Sequence, residues 1–302
     1  LIEDYTLRIS KKGKIGVIKS EPSFSNKLPD THDQPKIKRA KMGQYLHLLG
    51  ITNKEGTVIP KMADKYRQIN RYIEIIEGLM KTRPLPKQIR IVDMGSGKGN
   101  LTFALYDYLT NQRKRDVTIK GIELRADLVD FCNETAKTCG FNGLSFECQS
   151  IANFTRSKLD VLIALHACDT ATDDAIYRGI DANAEAIIVA PCCHKQIRKQ
   201  LNPTNDLKQI LQFGILKERQ AELLTDSLRA LILETHGYKT KVFEFISGEH
   251  TPKNVLIVAT KTKKPKKDIS IIKRQIENIK TTFGIEYHYL EKLISGDKKY
   301  FI

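Results

Sequence analysis

The sequence predicts an α/β fold, a mostly parallel sheet of seven strands with helices on both faces. Three observations predict it. From residue 89 onward, short apolar runs alternate with helical stretches, the pattern of strands joined by helical crossovers. A glycine-rich turn, Gly95-Ser-Gly97-Lys-Gly99, stands between the first of those runs and the helical stretch after it. Two strand-like runs lie close together after the last long helical stretch, which suits an antiparallel edge on an otherwise parallel sheet.

The elements follow in chain order. Residues 5–19 read as two short β segments around a Lys-Gly turn, and residues 20–38 as a polar loop. Residues 39–50 and 61–80 have a helical period; in the second, Tyr66, Ile69, Ile73, Ile76 and Leu79 share one face. Pro84 and Pro86 mark a connection over 81–88. Strands are expected at 89–94, 117–124, 144–150, 161–165 and 186–190, then at 239–246 and 254–260. Helices are expected at 100–111, 126–139, 171–180 and 205–236. A lysine-rich hinge from Lys261 to Lys267, an amphipathic helix over 268–282 and an aromatic tail close the chain. The expected organisation is a basic arm (1–38), a helical segment (39–85), the sheet domain (86–261) and a basic linker with a C-terminal helix (262–302).

Composition narrows the function classes. No apolar run approaches the roughly 20 residues of a membrane span, and no leader is evident, so no membrane partner and a cytoplasmic location are expected. Six cysteines, Cys132, Cys139, Cys148, Cys168, Cys192 and Cys193, form no CxxC pair, which reads as reduced thiols rather than a disulfide framework. The net charge of +15 is uneven. Residues 8–41 carry ten Lys/Arg against three acids, and residues 261–302 carry eleven against five. A positive field concentrated in the ends points to a polyanion, RNA first; solubility alone is the bland alternative.

The chemistry-bearing motifs lie after the strands. Asp93-Met-Gly95-Ser-Gly97-Lys-Gly99 follows the first strand of the sheet domain and opens a helix. Glycines there let backbone approach a ligand. The leading Asp93 is a poor neighbour for a pyrophosphate and a good one for an ammonium. Glu123 ends the next strand, where an acid takes the two ribose hydroxyls of a nucleoside. Gln149, at the end of the third, is placed to hydrogen-bond an adenine. Two loops follow the fourth and fifth strands: His166-Ala-Cys168-Asp169-Thr-Ala-Thr-Asp173-Asp174 and Pro191-Cys192-Cys193-His194-Lys195. In an open α/β sheet, ligands bind at the carboxyl ends of the strands, so these loops face the same ligand.

The pair HxCxxATD (His166 to Asp173) and PCCH (Pro191 to His194) resembles class I methyltransferases that depend on S-adenosylmethionine. It is similar to the catalytic domain of tRNA 2′-O-ribose methyltransferases acting on the acceptor stem and to bacterial methyltransferase-domain proteins. Those tRNA enzymes carry glycine where this chain has Asp169, and a second histidine where it has Lys195. The resemblance implies a Rossmann-like fold and S-adenosylmethionine as cofactor, held by Asp93, Gly95, Gly97, Gly99, Glu123, Gln149 and His166. The catalytic candidates are His194 as general base, Asp169 to orient it or act itself, and Lys195 toward the acceptor. The expected activity is RNA methylation, at a ribose 2′-hydroxyl, with tRNA a candidate partner. A small-molecule or protein methyltransferase, and a non-catalytic RNA-binding scaffold, are the other readings. No metal is expected, because adjacent cysteines rarely converge on one ion and no CxxC spacing helps them.

Overall fold

The computed structural model describes residues 3–9, 13, 15–20, 40, 43–82, 86–155, 158–165, 167–244, 254–262 and 268–296. His166, the loop over 21–39 and the hinge residues 263–267 lie outside them. The chain divides into Leu1–Lys38 and Arg39–Ile302. In the first unit, β1 (Asp4–Ile9) and β2 (Ile15–Ser20) pair antiparallel, and Gly13, between them in the chain, has φ 74°.

The second unit is built on a seven-stranded sheet. Its strands are β3 (Gln88–Met94), β4 (Asp116–Glu123), β5 (Leu144–Cys148), β6 (Val161–Ala164), β7 (Ala186–Val189), β8 (Tyr238–Glu244) and β9 (Val255–Lys261). They lie in the order β5-β4-β3-β6-β7-β9-β8. All pairs from β5 to β7 are parallel, while β9 runs antiparallel to both β7 and β8. This is the α/β class, Rossmann-like layout and antiparallel edge that the strand pattern predicts. The order reverses at β3, with β4 on one side and β6 on the other, and such a reversal opens a crevice at the carboxyl ends of the strands.

Alternation along the strands makes the two cores. Ile89 and Ile91 of β3, with Val161 and Ile163 of β6, enter one core. Val92 and Met94, with Leu162 and Ala164, enter the other. Successive side chains of a strand point to opposite faces, so a sheet buried on both sides needs apolar residues at every position. The first core is closed by helices α1 (Gln44–Leu48), α2 (Ala63–Thr82), α3 (Asn100–Asp107, continued as a wider π turn to Gln112) and α4 (Ala126–Thr138). The second is closed by α5 (Thr170–Asp181), α6 (Lys195–Gln200), α7 (Leu207–Leu211), α8 (Gly214–Thr235), α9 (Ile269–Phe283) and α10 (Tyr289–Ser295).

The helical segment before the sheet packs onto it: Tyr66, Ile69, Tyr72 and Ile73 of α2 are buried in the first core. The region after residue 262 is no free tail, since Ile272, Ile276, Ile285 and Leu290 are buried in the second core. Within it, α10 was not foreseen; it starts on a capping box made by His288 and Glu291. The long helix expected at 205–236 is two helices, because Phe213 takes an extended conformation at φ −88°, ψ 117°.

Candidate cofactor and acceptor site

A cavity of about 510 Å³ opens at the carboxyl ends of β3, β4, β5 and β6. Asp93, Gly95, Gly97, Glu123 and Gln149 all line it, so the structure brings together the cofactor residues read from three separate strands. Gly99 does not line it. The three glycines are all left-handed (φ 74°, 57° and 69°), but they are needed for different reasons. A Cβ on Gly97 would meet only Arg125, at 4.0 Å, so that position is open to a ligand. A Cβ on Gly99 would press on Phe103 and Phe146 at 3.0 Å, so that glycine serves packing.

Two carboxylates of this wall are in opposite electrostatic states. Asp93 is 6% exposed and accepts a 2.6 Å hydrogen bond from the Thr102 hydroxyl. Burial raises its pKa to about 6 despite that bond, and the nearby Glu123 charge adds to the rise. Glu123 is 9% exposed. Burial pushes its pKa up as well, but hydrogen bonds outweigh that and hold it below the usual range. Its Oε2 accepts from the Gly97 N–H at 2.9 Å, and its Oε1 accepts from the backbone N–H groups of Leu124 and Arg125 and from the Arg125 Nε. The Gln149 side-chain amide donates to the Asn153 carbonyl at 3.0 Å.

The other end of the cavity holds residues that the sequence reading left out. Asp174, on α5, lines it. Burial and the neighbouring Asp173 raise its pKa to about 6, although the Tyr289 hydroxyl donates to it at 3.4 Å. Lys65, on α2, also lines the cavity, donates to Gln68 at 2.8 Å, and has its pKa lowered by burial. Asp174 stands inside the motif that runs from His166 to Asp174, next to Asp173. Nothing in the local sequence marks Lys65, which precedes the glycine turn by a whole helix.

The catalytic candidates are placed differently from expectation, and His194 is the main correction. Its side chain is fully buried and faces away from solvent, with Nε2 3.3 Å from an oxygen of Asp226 on α8. A base sealed from the cavity cannot take a proton from an acceptor there. Lys195, the first residue of α6, is exposed and does not line the cavity. Asp169 is half-buried and also off the lining, with its carboxylate accepting from the Gln196 N–H at 3.2 Å. Its backbone, at φ 53° and ψ −122°, lies where glycine is at ease and other residues are strained. His166 lies outside the described residues.

His194 belongs to a buried cluster beneath the rim. Arg229 of α8, 1% exposed, makes a bidentate pair with Asp173 at 2.8 and 3.0 Å and a third bond to Asp226 at 3.1 Å. It also donates to the Asp169 carbonyl at 2.9 Å. Asp173 and His194, one from each rim motif, are thus tied to the same helix.

Three thiols from the two rim loops lie close together. The Cys168, Cys192 and Cys193 sulfurs all lie within 4.8 Å of one another. Cys168–Cys192 is 3.0 Å and Cys192–Cys193 is 3.7 Å. Adjacent residues of an extended strand point to opposite faces, but β7 ends at Val189, so Cys192 and Cys193 lie beyond the regular strand. Burial, with the neighbouring thiols, pushes the Cys192 pKa up to about 12, which disfavours a free thiolate nucleophile at neutral pH.

Residues 64–200 match the profile of a family described as a methyltransferase domain, a match covering less than half of the 302 residues. Among curated proteins, no sequence matches the chain. Solved structures resemble it at low identity. A geranyl diphosphate methyltransferase in complex with GPP and sinefungin is 12% identical, with a TM-score of 0.43, over 67% of this chain and 80% of its own. Magnesium protoporphyrin IX methyltransferase from Synechocystis PCC 6803, with bound SAM, is 14% identical at a TM-score of 0.42, over 72% and 90%. A Pyrococcus horikoshii protein described provisionally as an RNA methyltransferase is 9% identical at 0.39, over 65% and 84%. The fold is carried by the strand order itself.

Proposed function

We propose that this protein transfers a methyl group from S-adenosylmethionine to RNA, with a ribose 2′-hydroxyl as acceptor. The observation that carries the cofactor is the contrast between Asp93 and Glu123 on one cavity wall. An ammonium beside Asp93 restores the charge that burial suppresses. Ribose hydroxyls donate to Glu123, which is held ionised, and Gln149 serves the adenine. With Asp93, Glu123 and Asp174 all lining the cavity, a pyrophosphate would meet three carboxylates, which argues against a dinucleotide.

The acceptor reading rests on the charge distribution and on Asp174. Methyl transfer to a hydroxyl requires positioning of its oxygen and removal of its proton. Asp174, with a pKa near 6 and its place in the cavity, takes the part that the sequence assigned to His194. Lys65 offers a cation to an acceptor phosphate. The basic stretches at 8–41 and 261–302 supply the longer-range grip on a phosphate backbone.

Two expected results test these parts separately. S-adenosylhomocysteine carries the same ammonium as the cofactor, so its binding to Asp93 needs the ionised carboxylate. The raised pKa means that Asp93 is protonated below about 6 and ionised above it. Affinity should therefore climb as pH rises through about 6 and level off above. Calorimetry from about pH 5 to about pH 8 checks this, and Asp93→Asn should bind more weakly and lose that dependence. A wild-type affinity that stays flat across the window removes the ammonium from Asp93.

For RNA, anisotropy at several salt concentrations should show a steep salt dependence, since each neutralised phosphate releases counterions. Replacing Lys263, Lys264, Lys266 and Lys267 with serine should lower the slope and weaken binding uniformly across sequences, with S-adenosylhomocysteine affinity unchanged. Negligible RNA binding at low salt would move the acceptor to a small molecule. RNA binding without methyl transfer into any RNA fraction, by radiolabelled cofactor and nucleoside analysis, would favour a scaffold.

A further inference from the structure

We propose that Cys168, Cys192 and Cys193 form a three-thiolate zinc site at the rim of the cofactor cavity, joining the loop after β6 to the loop after β7. Three sulfurs from two loops lie within 4.8 Å of one another. Tetrahedral zinc with Zn–S bonds of about 2.3 Å sets its sulfurs about 3.8 Å apart. The Cys192–Cys193 separation of 3.7 Å already matches. The 3.0 Å pair opens by less than an ångström, and the Cys168–Cys193 separation is at most 4.8 Å, within about an ångström of that spacing.

Two simpler readings account for less. Cysteines that fill a core are buried, as Cys132 is, but Cys168 is exposed and Cys192 and Cys193 are half-buried. A Cys168–Cys192 disulfide would occupy two thiols and leave Cys193 idle, although the loop bends so that all three converge. The backbone that carries them is held in place. Ala190 N–H donates to the Ala164 carbonyl at 2.9 Å, Asp169 accepts from Gln196 N–H, and Arg229 holds the Asp169 carbonyl. Ligands preorganised on anchored loops are what a metal site needs.

Cys168 also lines the cavity. The site therefore has an exposed thiol and an entry path, and its fourth coordination position is left to water or to an atom of the acceptor. An ion there would act on the acceptor as a Lewis acid, and it would brace the two loops against each other with or without substrate.

The test uses the full chain, purified reduced and metal-free, and Co²⁺ alone as the probe. One Co²⁺ per chain should bind with a thiolate-to-cobalt charge-transfer band, and Zn²⁺ should bleach the band. Cys168→Ser and Cys193→Ser should each weaken Co²⁺ binding by more than the roughly 10–100-fold that loss of an outer-sphere partner costs. Cys148→Ser should leave it unchanged. Cys193 is off the cavity lining, so unchanged S-adenosylhomocysteine binding by Cys193→Ser shows an intact fold. The proposal is overturned if no band appears, or if the band survives in Cys193→Ser. It is equally overturned if mild oxidant consumes two thiols at the same rate with and without Co²⁺, which identifies a redox pair instead.

Discussion

Arg229→Met is expected to destabilise the protein by about 3–5 kcal/mol, the cost of removing one partner from a buried ion pair. Arg229 and Asp173 have side chains 1% and 2% exposed. Asp226 is 7% exposed and shares one oxygen between Arg229 and His194. Methionine fills much of the volume but leaves both carboxylates without their guanidinium. The transition midpoint in denaturant should fall while the slope is unchanged. The double variant Arg229→Met/Asp173→Asn should recover part of the loss, since it removes one of the uncompensated charges. A single-variant loss below about 1 kcal/mol, the range of exposed pairs, would show that the cluster is solvated in solution. Because Arg229 also holds the Asp169 carbonyl, the same variant should weaken Co²⁺ binding by the thiols.

Gly97→Arg is expected to abolish S-adenosylhomocysteine binding with a modest effect on stability. The position is left-handed at φ 57°, and an added Cβ meets only Arg125 at 4.0 Å. The backbone strain is on the order of 1–3 kcal/mol, and the new side chain must enter the cavity that Gly97 lines. Glu123→Ala should be milder, weakening binding by about 1.5–3 kcal/mol for a lost hydrogen bond to a charged group. Calorimetry on the three proteins, beside their unfolding curves, orders the effects. Retained ligand affinity in a folded Gly97→Arg protein would place the cofactor elsewhere.

Local patterns in the sequence were enough to read the fold and to pick out residues that line one cavity. Strands buried on both faces are apolar throughout, so β6 and β7 announce themselves. The glycine turn and the acid at the end of β4 are short-range features with fixed offsets from their strands. The carboxyl ends of parallel neighbours are brought together by the sheet, so Asp93, Glu123 and Gln149 meet at one cavity. Chain order alone says which loops share that edge.

The sequence by itself thus determined an α/β sheet, the residues that meet at the carboxyl ends of its parallel strands, and a net charge of +15 concentrated toward the two ends of the sequence. Tertiary packing decided which rim residues face the crevice. His194 looks catalytic as part of a motif, but the partners of His194 and Asp173, Asp226 and Arg229, come from α8, tens of residues away. Only packing makes that helix the floor of the rim and turns both residues inward. Asp174 and Lys65 reach the cavity for the same reason in reverse, from helices whose facing is set by what they pack against. The convergence of Cys192 and Cys193 was likewise a matter of one bent loop. Spacing rules assume regular elements, and the backbone leaves regular geometry where β7 ends.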